Sequence, residues 1–337
     1  MVPEEAKSNP QPTIRDLLWG FAISQAVYVA AKLTIFDFLG DGPKTSGELA
    51  DSVGAHEPSL RRLLRALTTV NLLIEDNGRF AATPMGEQLR SDHPESWHPF
   101  ALGVGWPVNW RPWGELEKTI LTGKPAFDQV HGISFFEYFG QHSENAAVFN
   151  AAMTSLTNVD LRAILATYDF SEFGTIVDVG GGNGALLRGI LERYPQAQGV
   201  LCDLPSVVAN AYAIRNTAVE ARCKLVGVDM FQSVSAGGDV YILKQILHDW
   251  NDDEAIQILR NCRQVIPAHG KLLHIGEVLK PSNEPDFAKW LDLNMLVLLT
   301  GRERTEAEFL ELYATAGFRL TRVISTGGPT IVEGIPV

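Results

Sequence analysis

The sequence predicts an α/β protein in which a parallel sheet alternates with helices, preceded by a mainly helical unit carrying one small hairpin. Three observations lead there. From Gly174 onward, apolar runs rich in Val and Ile alternate with amphipathic stretches, and strands apolar on both faces belong to parallel sheets. The first run ends in Gly180-Gly181-Gly182-Asn183-Gly184, a glycine-rich turn of the kind that opens a helix and lets backbone N–H groups approach a ligand. Upstream, residues 13–90 read as helical, interrupted by an Asn-Gly turn.

The elements follow in order. Leu17, Leu18, Phe21, Gln25, Val29 and Leu33 share one helical face. The stretch from Leu17 to Ala31, interrupted by Ser24 and Gln25 and bounded by Asp16 and Lys32, is too short to span a membrane and reads as a buried helix. Thr45-Ser46-Gly47-Glu48 has capping-box spacing and opens a short helix. Pro58 begins another, through Leu60, Leu63, Leu64 and Leu67. Leu72-Leu73-Ile74-Glu75 and Phe80-Ala81-Ala82 flank Asn77-Gly78, a hairpin signature. Thr83-Pro84 puts proline at the first position of a further helix.

Helix, helix and hairpin in this order form a winged-helix arrangement. Its second helix carries Arg61, Arg62 and Arg65. They are either a DNA-contacting face or a solvated face on a unit whose apolar first helix packs on a partner chain. The 337 residues include 28 Lys+Arg against 40 Asp+Glu, a net charge of −12. Such a field repels phosphate backbones, so the second reading is favoured and nucleic acid is not an expected partner.

Residues 91–115, rich in Pro, Gly and Trp, read as a connector, and 115–168 as helical again. Thr175–Val179, Gly199–Leu201, Lys224–Val228, Val240–Leu243 and Lys271–Ile275 are strand candidates, with helices at 185–194, 205–216 and 252–264. The expected domains are 1–105, a helical connector 106–170, and 171–337. Hydrophobic residues at 45% and charged residues at 20% suit a globular chain with a sizeable core. Cys202, Cys223 and Cys262 are odd in number and lack CxxC spacing. That argues against a disulfide framework or zinc site and suits a reducing cytosol. Met1–Pro12, with Glu4 and Glu5, has the character of neither a signal nor a transit peptide. A cytoplasmic protein without a membrane partner is expected.

Ligands of parallel α/β sheets bind beyond the carboxyl ends of the strands, so the residues after each strand carry the chemistry. Gly180-x-Gly182-x-x-Ala185 satisfies a dinucleotide fingerprint. The second strand ends at Asp203, in Cys202-Asp203-Leu204-Pro205, where an acid accepts hydrogen bonds from ribose hydroxyls. NAD and S-adenosylmethionine share that ribose. Asp229-Met230-Phe231, after the third strand, favours the latter: an acid for the adenine amine and two side chains to cover the ring. Asp229 as a turn cap and Phe231 as core account for the same residues. The fourth strand runs through Lys244 into Leu247-His248-Asp249-Trp250. A histidine with a pKa near ~6.5 at that strand end takes a proton at neutral pH. Glu277 ends the fifth strand, and Glu303 lies in Gly301-Arg302-Glu303-Arg304-Thr305. A carboxylate beside the imidazole would orient it and stabilise its charged form. His56, His93, His98, His131, His142, His269 and His274 read as structural.

The order of these motifs resembles that of the plant caffeic acid and animal hydroxyindole O-methyltransferases, and still more their bacterial relatives that decorate antibiotics and pigments. The resemblance rests on Asp178 to Gly184, Asp203-Leu204-Pro205, Asp229-Met230-Phe231, Leu247-His248-Asp249-Trp250, Glu277, Asp292-Leu293-Asn294-Met295, and Glu303-Arg304-Thr305 with Phe309. It covers nearly the whole chain. It implies a Rossmann-like methyltransferase domain with a seven-stranded, mostly parallel sheet, and a winged-helix dimerisation domain that makes an intertwined homodimer. The implied cofactor is S-adenosylmethionine, with no metal. By this likeness Gly180, Gly182, Asp203, Leu204, Asp229, Met230, Phe231 and Lys244 hold the cofactor. His248 is the general base, flanked by Glu277 and Glu303, and Phe149, Asn150, Met153, Asp249, Trp290 and Met295 serve the acceptor. The implied reaction is methylation of a hydroxyl on a small aromatic or polyketide-like molecule. One departure is Gly227-Val228-Asp229, where relatives often have Gly-Gly-Asp. Two other readings stay open: a relative that catalyses a hydroxylation or pericyclic step without methyl transfer, and a winged-helix regulator that senses S-adenosylmethionine.

Overall fold

The computed structural model describes residues 13–281 and 283–337, and divides into two compact units between Trp106 and Pro107. Met1–Pro12, read above for a leader, lie outside the described residues.

In the first unit, helices α1 (Ile14–Leu18), α2 (Gly20–Lys32) and α3 (Ile35–Leu39) lead to β1 (Lys44–Thr45), α4 (Ser46–Val53) and α5 (Glu57–Thr68). The hairpin β2 (Leu73–Asp76) and β3 (Arg79–Ala82), then α6 (Pro84–Glu87) and α7 (His98–Gly105), complete it. The capping box is formed: Thr45 accepts from the Glu48 N–H, and the Glu48 carboxylate accepts from the Thr45 N–H. Asn77 and Gly78 take φ of 48° and 76°, so the hairpin turn follows the twist of its strands. β1 adds a strand to give the antiparallel order β1-β3-β2; a two-residue strand carries no period to read. Along α5, Leu60, Leu64 and Leu67 are buried, while Arg61, Arg62 and Arg65 are exposed and Arg65 pairs with Glu75.

The first helix is not the buried helix read from Leu17 to Ala31; its apolar face is exposed, as the reading in which it packs on a partner chain requires. It breaks at Trp19, and the buried residues of α2 are only Ala30 and Ala31. Leu17, Leu18, Trp19 and Phe21 are 61–69% exposed. An apolar stretch of this kind marks a contact surface rather than a core face. Of the predicted face, Leu17, Leu18, Phe21 and Val29 point outward, while Gln25 donates to the Gly105 carbonyl and Leu33 packs on the core.

The second unit opens with α8 (Pro107–Trp113), α9 (Leu116–Thr122), α10 (Ala126–His131), α11 (Phe135–Gln141) and α12 (Ser143–Thr167). The stretch read as a connector thus contains α7 and α8. Pro99 and Pro107 stand at their starts, where a missing N–H costs nothing. Then come β4 (Thr175–Val179), α13 (Ala185–Arg193), β5 (Gln198–Asp203), α14 (Pro205–Val208), β6 (Cys223–Gly227), β7 (Val240–Lys244) and α15 (Asp252–Val265). β8 (Lys271–Gly276), α16 (Ala288–Leu298), α17 (Glu306–Thr315), β9 (Phe318–Ser325) and β10 (Thr330–Pro336) follow. The seven-stranded sheet has the order β6-β5-β4-β7-β8-β10-β9. It is parallel except for β10, which runs antiparallel to both neighbours. Alternate residues feed two cores: Val177, Tyr241 and Leu272 one, Ile176, Ile242 and Leu273 the other.

The helix expected over 205–216 stops at Val208. The Asn210 side chain donates to the Ser206 carbonyl and Asn216 takes φ of 59°, so the rest is turns. No helix among the described residues is long and apolar enough to cross a membrane.

Candidate active site

The carboxyl ends of β4, β5, β6 and β7 bring the motif residues to one edge of the sheet. After β4, the Gly180 N–H donates to the Cys202 carbonyl (2.8 Å) and the Gly182 N–H to Asp203 (2.8 Å), tying the glycine loop to the end of β5. Gly180 and Gly182 have φ of 69° and 60°, values that side chains disfavour. A Cβ on Gly180 would run into Ile246 and approach the Met230 sulfur. The loop is therefore a cradle open only while it stays glycine. Asp203 also accepts from the Leu204 N–H (2.7 Å). Beneath the loop lies Asp178, buried, with both carboxylate oxygens lacking a protein partner. Burial, with the Asp203 charge beside it, pushes its pKa up to about 7.

After β6, Asp229 accepts from the Phe231 N–H (2.9 Å), so it does cap its turn. Phe231 stands edge-on to Trp250 at the margin of the core. The buried Asn261 of α15 donates to the Met230 carbonyl (2.8 Å) and fixes that loop. Asn261 went unnoticed in the sequence, as did a polar stripe on α12. Lys244, its side chain 7% exposed, has its Nζ 2.9 Å from Asp160 and 3.4 Å from Thr157, and Asn183 donates to Thr154 (2.6 Å). Thr154, Thr157 and Asp160 stand three residues apart, one face of a helix. That spacing was the available signal.

At the end of β7, Gln245 takes φ of 56° and turns the chain into a 3-10 turn, Leu247–Asp249. This places His248 in a buried position with its Nδ1 2.6 Å from Glu303 and its Nε2 3.4 Å from Asp249. Burial alone would lower the imidazole's pKa; the charges of Glu303 and Asp249 outweigh it, and the pKa is raised. Burial, joined by the Glu303 charge, pushes Asp249 up to about 7. Glu277 makes no hydrogen bond to the imidazole. It is half-buried, and burial followed by the charges of Glu303 and Asp160 raises it to about 7. Of the two acids expected beside His248, Glu303 touches it and Glu277 does not. His274, also buried, has no partner for either ring nitrogen and packs on Phe309; burial drives its pKa down to about 3.

The 301–304 segment encloses the same turn. A Cβ on Gly301 would strike the backbone of His248, Asp249 and Trp250. Glu303 is oriented by its N–H, which donates to Asp292 (2.9 Å). Arg304, 1% exposed, donates to the carbonyls of Leu247 (2.7 Å) and Trp250 (3.0 Å) and pairs with Asp252 (2.8 Å).

Aromatic residues dominate the surroundings of Phe149, one of the residues expected to serve the acceptor. Phe149 stacks on Phe139 (5.0 Å) and meets Phe135 edge-on, while Phe136 stacks on Trp250 (5.2 Å). Met153 is half-buried and Met295 buried, and Asn294 accepts from the Trp113 indole N–H (3.1 Å). Asn150 and Trp290 are exposed, Trp290 by 66%. No group of three or more His, Cys, Asp or Glu among the described residues is arranged to hold a metal ion. The glycine cradle, the orphaned Asp178 carboxylate and the acids at successive strand ends fit a nucleoside ligand that carries positive charge.

Residues 15–92 match an O-methyltransferase dimerisation domain and residues 113–319 an O-methyltransferase domain. The phenazine O-methyltransferase PhzM of Lysobacter antibioticus is 44% identical over 324 residues, 95% of each chain. The crystal structure of LaPhzM superposes with a TM-score of 0.90 at 44% identity, covering 97% of this chain and 100% of that one. An O-methyltransferase of neocarzinostatin biosynthesis, solved with S-adenosylmethionine and 2-hydroxy-5-methyl naphthoic acid, is 33% identical with a TM-score of 0.81, covering 97% of this chain and 100% of its own.

Proposed function

The chain belongs to the O-methyltransferase family, and from that premise we propose that it methylates a hydroxyl of a planar, fused-ring aromatic metabolite, with His248 as the general base. S-adenosylmethionine is the methyl donor; when bound it supplies a methyl group already activated on a sulfonium. Gly180, Gly182, Asp203, Leu204, Asp229, Met230, Phe231 and Lys244 are the residues that would hold it. What remains for the protein is alignment of the acceptor oxygen, worth up to ~7–11 kcal/mol, and removal of its proton.

One observation carries this reading: the 2.6 Å contact between His248 Nδ1 and Glu303. A neutral imidazole that donates Nδ1–H to Glu303 has Nε2 left to take the hydroxyl proton. The imidazolium so formed is stabilised by the same carboxylate. Asp249, beside Nε2, orients the acceptor. Phe149, Met153 and Met295 offer apolar and aromatic surface to a flat ring system, with Asn150 and Trp290 at the pocket's margin. PhzM acts on phenazines, and the neocarzinostatin enzyme is seen with a naphthoic acid; both are flat fused rings. The matched dimerisation domain and the exposed apolar α1 and start of α2 support a homodimer.

The test is a screen of hydroxylated phenazines and naphthoates with methyl-labelled cofactor, read as a mass shift in the acceptor. His248→Ala should lower turnover by at least ~10²-fold and leave cofactor affinity nearly unchanged. Wild-type turnover in that variant would overturn the assignment. Consumption of acceptor without label would favour the non-methylating alternative.

A further inference from the structure

We propose that Arg304 is a positioning residue for methyl transfer: bonded to the carbonyls on either side of His248 and Asp249, it holds the turn that presents the base. The proposal rests on the reading of His248 as base.

The short 3-10 turn Leu247–Asp249 has no long helix to satisfy its backbone, and its outer carbonyls need donors. Arg304 supplies two, to Leu247 and Trp250. Its guanidinium is rigid and planar, so it fixes the spacing of the two oxygens as well as satisfying them. The location is costly: a buried cation must be paired and fully hydrogen-bonded. An ion pair with Asp252 alone would not require that cost, because the Asp252 side chain is 50% exposed and also serves Arg302. Arg302, two residues earlier and 42% exposed, shows the solvated alternative, with bonds to Asp252 and Glu308 and none to the turn. The buried guanidinium of Arg304 divides its donors between Asp252 and the two carbonyls of the turn.

The neighbours act on the same object. Gly301 leaves no space between its backbone and that of His248–Trp250. Glu303, between them, takes the imidazole itself. Segment 301–304 therefore grips one turn three ways, by contact, by charge on the ring and by hydrogen bonds to the carbonyls. The same segment is tied through Asp292 to α16, the helix of Met295 and Asn294. Arg304 acts on the reaction through His248 and has no need to touch acceptor or cofactor. Displacing a reacting group by about 1 Å can cost ~10²-fold in rate.

The test compares Arg304→Lys, Arg304→Gln and Arg302→Lys in the full chain, as kcat, KM, affinity for S-adenosylhomocysteine and the pH dependence of kcat. Lysine keeps the charge and loses the fork; glutamine keeps a two-donor group and loses the charge. For Arg304→Lys we expect kcat to fall by ~10–100-fold, with KM and S-adenosylhomocysteine affinity within about threefold of wild type. The kcat inflection should move to lower pH as Glu303 loosens from His248. Arg302→Lys should leave kcat unchanged. Should Arg304→Lys fail to fold, Arg304→Gln must show the same kcat-specific loss. Wild-type kcat in a folded Arg304 variant, or an affinity loss matching the kcat loss, overturns the proposal. His248→Ala is run in parallel. If it retains wild-type turnover, both readings fall; if it is inactive while Arg304→Lys is fully active, this one falls alone.

Discussion

At His248, burial and two carboxylates pull in opposite directions, and the carboxylates win. A raised folded pKa means that the protonated ring is favoured. The stability it contributes is full below the ordinary value of about 6.5 and is lost as pH rises through the folded value. A base must be neutral to act, so kcat should climb as pH rises through a value above ~6.5. Glu303→Gln removes the main stabilising charge. A pH–rate profile of that variant should show an inflection at lower pH and a kcat reduced at least ~10-fold; an unmoved inflection would deny Glu303 its role. His248 was legible because a strand end locates it, and Glu303 because its motif follows a fixed order. Asp160, Thr157 and Asn261 were not. Each acts on a residue from a distant segment, and one chain read linearly does not show which side chains meet.

The buried parallel strands were the clearest elements, since burial on both faces leaves uninterrupted apolar runs such as Val240-Tyr241-Ile242-Leu243. The antiparallel β9 and β10 were implied only by family likeness. Phe318-Arg319-Leu320-Thr321 does alternate apolar and polar residues, the weaker signal of a half-covered strand. That hairpin carries a charged cluster. Glu333 of β10, 4% exposed, accepts from the Tyr168 hydroxyl (2.6 Å), from Thr321 and twice from Arg322, with Lys271 3.7 Å away. Burial opposes its charge, yet the bonds from Arg322, Tyr168 and Thr321 bring its pKa down to about 2. A depressed carboxyl pKa adds stability that is present above its unfolded value, near ~4.3, and is lost as pH falls toward the folded one. Glu333→Gln should therefore lower the unfolding free energy by about 2 kcal/mol at neutral pH. Urea titrations should show that gap closing as the pH approaches 2. An equal gap at both ends of the range would refute the ionic account.

For the whole molecule, the outward apolar face of α1 and the start of α2 departs from the reading of Leu17–Ala31 as a buried helix and fits the reading in which that helix meets a partner chain. Its periodicity identified a helix with something to bury, and the match to an O-methyltransferase dimerisation domain makes a second copy the partner to test. Leu17→Asp combined with Phe21→Asp should shift the species seen in sedimentation from dimer to monomer. A mass unchanged from wild type would remove that face from the interface. The sheet was legible because the apolar pattern changes character near Gly174 and because each motif keeps its place after a strand. The extent of the second unit was less so, since α8 to α12 precede the sheet and carry no strand to mark them.

The strand order has a consequence for how the molecule is made. β10, the latest strand in the sequence, does not lie at the margin but between β8 and β9. On a ribosome adding ~5–20 residues per second, the first unit can close as soon as α7 emerges. The outer side of β8, by contrast, stays unpaired while α16, α17 and β9 are synthesised. A nascent chain paused in that interval displays an apolar strand edge open to pairing with its neighbours. Yield on slow translation is thus set by the β10–β9 end of the sheet, the last to be made.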